Sequence, residues 1–239
     1  MNLGEINYFN HSSKPKCVFV ENRELPLICI DFWFKAGSAF EESDKNGTAH
    51  FLEHMIFKGS NKLMPGEFDH KIESLGGISN ASTGYDDVHY YVLVPKDNFN
   101  ESLALLTNIV LSPKINIDEF YKEKSVVIDE IKQQNDQPDE KLFNYFLNRV
   151  WMDNYYGKTI LGTEKDVQSL EISDLEKFHQ NFYNSHNLCV SIAGNLSKKI
   201  FEEYYENSYF NSDQKLNSQA KNYNELKVIS RTGREEIDF

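Results

Sequence analysis

The chain has 239 residues, of which 40% are hydrophobic, 26% charged and 13% aromatic, and its formal net charge is -12 at pH 7. This composition is typical of a soluble globular protein and excludes a disordered chain, a collagen-like chain and a coiled coil. The excess of 37 acidic over 25 basic residues makes the average surface repel phosphate groups, so we expect neither nucleic acid nor a membrane as a partner.

The cysteines and the N-terminal residues indicate the compartment. Cys17, Cys29 and Cys189 are odd in number and have no CxxC spacing, so we expect all three to be reduced and structural. The first residues lack the pattern of a secretory signal or a transit peptide, and the longest apolar run, Leu25 to Phe34, is too short to cross a bilayer. The sequence therefore predicts a cytoplasmic protein.

Two strand signals come first along the chain. Residues 17–20 and 27–36 are rich in β-branched and aromatic side chains, and only a short polar segment that begins at Glu21 separates them. This arrangement predicts a β-hairpin.

A short helix is predicted from Gly47 to Phe57, with Asn46 as its N-cap. Apolar residues recur there at the spacing of one helix face: Phe51, Leu52, Met55 and Ile56. A second helix is predicted from Pro65 to Leu75, with a left-handed C-cap at Gly76-Gly77.

The rest of the chain is mainly helical. Strands are predicted at residues 79–83 and 88–94 and at Leu188 to Ala193. Helices are predicted at about 97–110, 117–135, 138–152, 164–170, 173–183 and 198–207. This order predicts an α+β fold, with a mixed, largely antiparallel sheet and helices packed mainly on one of its faces.

We expect one domain over residues 1–210. The remaining segment, 211–239, is polar and rich in turn residues, apart from a possible strand at Leu226 to Ile229. We expect this segment to be loosely held.

The segment His50-Phe51-Leu52-Glu53-His54 carries the strongest chemical signal. On a helix, the i, i+4 spacing places both imidazoles on one face, where they can bind a single metal ion. A carboxylate from elsewhere would complete a catalytic zinc site with a fourth position for water, and Glu53 would then be the base that takes the proton.

The predicted helix from Phe120 to Gln134 offers a candidate for the third ligand. Glu123, Val127 and Glu130 share one face of it, and two acidic residues are out of place if that face is buried. A metal ligand and a partner that orients the site would explain them, whereas a solvated helix face is the ordinary alternative.

At this point the sequence resembles the pitrilysin/insulinase family of inverzincin peptidases, which includes the mitochondrial processing peptidases. The resemblance covers residues 10 to 200, and its most specific part runs from Asn46 to Gly59, around the HxxEH motif. It implies that the fold is one half of such a peptidase, with one Zn2+ per chain.

By residue, the resemblance implies that His50, His54 and Glu130 bind zinc, that Glu53 is the general base, and that Glu123 orients the site from behind the ligands. It also implies a substrate-binding edge strand, which would hold an extended peptide by main-chain hydrogen bonds. This strand comprises Asn80, Ala81, Ser82 and Thr83. Asn80 has an ordinary alternative as a turn residue after the two glycines.

The chain departs from the family in length. Members are usually about twice as long, with a second homologous half that supplies an arginine and a tyrosine to the reacting carbonyl, and loss of one oxyanion donor slows catalysis by about 100-fold to 1000-fold. We therefore expect a zinc endopeptidase half-unit, with a second half or a partner subunit missing. The alternative is a non-catalytic module that binds zinc and peptide and acts only after assembly.

Overall fold

Six strands form one mixed sheet in the computed structural model, which describes residues 4–11, 14–152 and 154–206. The strands are β1 (Ile6–Phe9), β2 (Lys16–Glu21), β3 (Leu27–Phe34), β4 (Ile78–Thr83), β5 (Val88–Pro95) and β6 (Leu188–Gly194). Their spatial order is β1-β2-β6-β3-β5-β4, and every neighbouring pair is antiparallel except β2 with β6. The predicted fold class is confirmed.

Buried and half-buried side chains alternate along the central strands, so one face of the sheet forms the core. On β3, β5 and β6, every second residue is buried: Ile28, Ile30, Phe32, Phe34, Val88, Tyr90, Val92, Val94, Leu188, Val190 and Ile192. Side chains that point the other way, such as Cys29 and Tyr91, are only half-buried. Helices therefore cover mainly one face.

The α-helices of the described ranges follow the predicted positions closely. They are α1 (Thr48–Ile56), α2 (Glu67–Ser74), α3 (Phe99–Leu111), α4 (Ile117–Asp136), α5 (Pro138–Trp151), α6 (Glu164–Ser169), α7 (Ile172–Phe182) and α8 (Lys198–Glu206). Within the described ranges, none of these helices is long and apolar enough to cross a membrane.

The predicted hairpin between the first two strand signals is wrong. β2 and β3 do not pair, because β6 lies between them, with Ser191 opposite both Val18 and Asp31. The link from β2 to β3 passes the end of β6 at Gly194, whose φ is 145° and where an added Cβ would lie 2.3 Å from the Leu27 carbonyl oxygen. Only glycine allows this close approach.

The predicted cap of α1 is also wrong. Gly47 occupies the N-cap position with φ 87°, and the Asn46 side chain instead accepts a hydrogen bond from Lys158. The second helix starts two residues later than predicted, at Glu67, whereas Gly76 has the predicted left-handed conformation.

Cys17, Cys29 and Cys189 are free thiols. The segment 211–239, with its possible strand at Leu226 to Ile229, lies outside the described residues.

Candidate metal centre

Helix α1 presents the two histidines of the motif. Its opposite face is buried in the core through Phe51, Leu52 and Met55, so the helix is anchored along its length. His50 and His54 lie one turn apart, with ring centroids separated by 4.7 Å. Both imidazoles therefore project from the same side, as the i, i+4 spacing predicts.

Helix α4 supplies the carboxylates from the facing side. Asn116 caps it by accepting from two main-chain N–H groups, and Phe120 stacks on Phe51 of α1 with ring centroids 5.0 Å apart. This contact fixes the distance between the two helices. Glu123 is buried in the interface, whereas Glu130, two turns later, is only half-buried.

Three ligand atoms converge between these helices. Glu130 Oε2 lies 3.8 Å from His50 Nε2 and 3.4 Å from His54 Nε2. Within the described residues, His50, His54 and Glu130 form the one group of three or more histidine, cysteine or acidic side chains close enough to share a metal ion. Ligand atoms of a tetrahedral zinc site lie about 3.3 Å apart, since each bond is about 2.0–2.1 Å long, so these residues fit the metal.

The protonation states of His50 and Glu130 suit metal binding, whereas His54 must first lose a proton. Burial, with a smaller effect of His54, lowers the pKa of His50 to about 4, so its imidazole is neutral at neutral pH. The hydrogen bond with His54 holds the pKa of the Glu130 carboxyl below its usual value. Burial lowers the pKa of His54, but bonds to both glutamates outweigh that effect and raise it to about 9. Protonation and metal binding at Nε2 exclude each other.

Behind His54 lies a chain of two hydrogen bonds. His54 Nδ1 is 2.9 Å from Glu123 Oε1, and Lys58 Nζ is 2.7 Å from Glu123 Oε2. Burial raises the pKa of Glu123, but the bonds to His54 and Lys58 together outweigh it and hold the pKa below its usual value. Such a partner fixes the tautomer and orientation of a ligating histidine.

Glu53 stands beside the three ligand residues. Burial raises the pKa of its carboxyl above the usual value, and the Thr83 hydroxyl donates a hydrogen bond to Glu53 Oε2. Thr83 lies at the end of β4, so this bond joins α1 to the sheet edge.

A cleft of about 360 Å³ opens in front of these groups. Its walls include the three ligand residues, Glu53, and residues of β4, α5 and the segment before α6: Ala81, Ser82, Thr83, Glu140, Phe143, Asn144, Ile160 and Leu161. Of the predicted edge-strand residues, three line the cleft, whereas Asn80 does not. Asn80 lies within β4 and not in a turn.

β4 is an edge strand of the described sheet. The Gly84 N–H bonds to the Asp87 carbonyl oxygen, so in the antiparallel register Ala81 lies between hydrogen-bonded pairs. The Ala81 N–H therefore points to the open side, where it bonds to the Asn80 side-chain oxygen at 2.9 Å. The strand therefore presents main-chain hydrogen-bonding groups along the cleft.

Two histidines outside the cleft have structural partners. His89 Nδ1 lies 3.1 Å from Asp31 and its ring stacks on Trp33, while His179 Nε2 lies 2.9 Å from the Val110 carbonyl oxygen.

Sequence reasoning did not identify two groups of residues at this site. Lys58 carries no motif signal beyond its position four residues after His54. Glu140, Phe143 and Asn144 come from α5, and only the helix-to-helix turn at Gln137-Pro138 could indicate that α5 folds back toward the cleft.

Comparison with known proteins shows which proteins the chain is similar to. The family model described as Insulinase (Peptidase family M16) matches residues 18–164. An uncharacterized zinc protease of Rickettsia bellii is 37% identical over 169 residues, which are 71% of this chain and 41% of that protein. Zinc protease PqqE of Helicobacter pylori is 34% identical over 196 residues, or 81% of this chain and 44% of that protein.

A solved structure shows the same fold. The crystal structure of a protease from Helicobacter pylori superimposes with a TM-score of 0.80 at 32% identity, covering 89% of this chain and 52% of that one. The chain thus spans about half the length of these three proteins. By the family match over most of its described residues, this chain belongs to the insulinase family of peptidases, M16.

Proposed function

We propose that the chain is the metal-binding half of a zinc endopeptidase, which hydrolyses peptide bonds in extended peptides. The observation that carries this proposal is the convergence, in one cleft, of three metal-binding atoms, the carboxyl group of Glu53 and an edge strand. The kinship with zinc proteases supports the choice of metal and of reaction.

In this proposal His50, His54 and Glu130 hold one zinc ion per chain. When bound, the ion would supply Lewis-acid chemistry beside Glu53, for polarising a carbonyl and lowering the pKa of a water. Glu123 keeps the His54 ring oriented through its bond to Nδ1.

Glu53 acts as the general base. Burial raises the pKa of its carboxyl above the usual value, which favours a group that must both accept and return a proton. The Thr83 hydroxyl donates a hydrogen bond to Glu53 Oε2 and thereby orients the carboxyl group. The other oxygen, Oε1, can then receive the proton from water. From there the proton passes to the leaving amine.

The peptide binds as an additional strand beside β4. Main-chain groups on the open side of Ala81 and Thr83 pair with the peptide backbone, so affinity depends little on the substrate's side chains. The scissile bond is thereby held next to Glu53, which is joined to the end of the same strand.

Cleavage of a pool of unstructured peptides by the zinc-loaded chain tests the proposal. We expect products from the wild type and none from Glu53→Gln, which keeps the three ligand residues and still binds zinc stoichiometrically. Equal cleavage by both proteins would refute the role of Glu53. Absence of cleavage by the wild type, with zinc bound, would refute activity of this half alone.

A second candidate function is an assembly module that becomes active only with a homologous second half or partner subunit. Two observations favour it: the chain spans less than half of its two zinc-protease relatives, and α5 exposes a large apolar face. The exposed side chains on that helix are Leu142, Phe143, Tyr145, Phe146, Val150 and Trp151. Addition of the second half of a relative to the chain should then restore cleavage.

A further inference from the structure

The two histidines of the metal centre are supported differently. His54 has the Glu123 carboxylate on its Nδ1, whereas His50 Nδ1 is buried and has no hydrogen-bond partner among the described residues. Ligating histidines usually depend on a hydrogen bond at the second ring nitrogen for their orientation. The direction of the His50 side chain must therefore be fixed mainly through its backbone and its packing.

Glu41 contacts the backbone just before His50. Its Oε1 accepts from the Ala49 N–H at 2.8 Å, and its Oε2 accepts from the Gly47 N–H at 3.0 Å. The residue is partly exposed, but its carboxyl group turns inward to the first turn of α1. These two N–H groups belong to the set that a helix start leaves without intrahelical partners.

Helix α1 cannot provide this cap from its own N-cap residue. Gly47 has φ 87°, and an added Cβ would lie 2.4 Å from the Leu161 carbonyl oxygen, so a capping side chain is excluded there. The capping group has to come from elsewhere, and Glu41 provides it from six residues upstream.

Lys158 holds the same loop from the other side. Its Nζ donates to Asn46 Oδ1 at 3.0 Å and to the Ser43 carbonyl oxygen at 3.3 Å. Burial raises the pKa of the Glu41 carboxyl to about 8, against the lowering effect of the two N–H donors and of Lys158. The two described hydrogen bonds of this carboxyl group both go to the start of the metal-binding helix.

We propose that Glu41 is a positioning residue of the metal site, which fixes the first turn of α1 and thereby the direction of the His50 imidazole. This inference rests on the metal site of the proposed function, but it concerns the geometry of one ligand and not the chemistry of hydrolysis. Removal of Glu41 should therefore weaken and distort metal binding even where the fold persists.

The test compares Glu41→Ala and Glu41→Gln with Glu42→Ala in the full chain. Glu42 is the adjacent exposed glutamate, paired with Lys177, and has no contact with α1 among its described hydrogen bonds and ion pairs. Zn2+ affinity is measured by competition with a chromophoric chelator, and the Co2+-loaded proteins are examined by visible absorption, which reports the ligand geometry. Thermal unfolding of the metal-free proteins is followed in parallel.

We expect Glu41→Ala to lower Zn2+ affinity about tenfold or more and to change the Co2+ spectrum, as for other groups that orient a ligand. Glu41→Gln, which keeps one acceptor oxygen, should lose less, and Glu42→Ala should match the wild type. Unchanged affinity and spectrum in Glu41→Ala, with only a lower melting temperature, would overturn the proposal. If Glu41→Ala does not fold, the same criteria apply to Glu41→Gln.

The outcome is separable from that of the proposed function. A wild type that binds Zn2+ but cleaves no peptide contradicts the proposed hydrolysis and leaves the Glu41 comparison decisive. A wild type that binds no Zn2+ overturns both proposals.

Discussion

At the scale of single residues, the site depends on contacts that no motif announces. The spacing of His50 and His54 predicts that both imidazoles share one face, because helix periodicity fixes which side chains lie together. The choice of Glu130 as the third ligand, in contrast, depends on the family resemblance. Lys58 and Glu41 could not be predicted in the same way. One acts through Glu123 and the other through main-chain N–H groups, and both contacts exist only after the chain has folded.

Replacement of Lys58 should weaken metal binding. Lys58→Met leaves one oxygen of the buried Glu123 without its partner, so this carboxylate holds the His54 ring less firmly, and we expect Zn2+ affinity to fall about tenfold. Lys58→Arg should retain most of the affinity. Lys62→Met, at an exposed neighbouring lysine, is the control, and equal affinities for the two methionine variants would contradict the role of Lys58.

Glu41 should make stability depend on pH. Because its pKa is raised to about 8 in the folded chain, the folded state binds this proton more tightly than the unfolded state does. Its contribution to stability is then fully present below the unfolded pKa, at about pH 4.3, and is lost as the pH rises through about 8. Asp166 opposes ionisation and Lys158 favours it.

Urea unfolding of the metal-free chain checks this dependence. Between about pH 5 and about pH 9, the free energy of unfolding should fall more steeply in the wild type than in Glu41→Gln, since glutamine does not titrate. Glu42→Gln should follow the wild type. Parallel curves for the wild type and Glu41→Gln would show that the carboxyl group titrates with an ordinary pKa.

At the scale of elements, local pattern predicted strands and helices well but not the partners of strands. Alternation identified β2 and β3, yet nothing in either segment specifies that β6, more than 150 residues away, inserts between them. Gly194, which lies in close contact with Leu27, is the feature in the sequence that this insertion requires. A single glycine after an apolar strand is too common, however, to predict the insertion of β6.

The start of α1 should be unusually sensitive to substitution. Gly47→Ala combines a left-handed φ with a contact of 2.4 Å to the Leu161 carbonyl oxygen, whereas Gly66→Ala, at the N-cap of α2, has a similar φ of 76° and no atom within 4 Å. Gly66→Ala should destabilise by about 1 kcal/mol, which is the backbone penalty alone. Gly47→Ala should destabilise by about 1–3 kcal/mol more. Equal losses in the free energy of unfolding, measured with urea, would mean that the loop of Leu161 moves easily to accommodate the added Cβ.

At the scale of the whole molecule, the sequence indicated that the chain matches about half of its relatives' length, and the comparisons agree. The apolar face of α5 could not be predicted as exposed, because its spacing is equally typical of a helix buried in a core. In this chain the helix has no buried residue, and Leu142 and Phe146 border an open apolar cavity of about 440 Å³.

Polar substitutions on the apolar face of α5 should weaken association with a second half without destabilising the fold. Leu142→Ser/Phe146→Ser removes apolar side chains that are 67% and 56% exposed, so the melting temperature should change little. Association with a second half, measured by titration calorimetry, should weaken about tenfold or more. Tyr121→Ser, on an exposed part of α4, is the control. Unchanged association would place the partner elsewhere.

The bond between the Asn80 side chain and the Ala81 N–H has a consequence for solubility. An open edge strand that can pair with a peptide can equally pair with the same strand of another copy, which is a route to aggregation. Asn80 occupies one of the donors that such pairing needs, and a side-chain amide can move away without unfolding the strand. Any incoming strand must therefore first displace the Asn80 side chain. This requirement disfavours weak pairing between two copies of the chain more than it disfavours binding of a peptide that is held along the whole cleft.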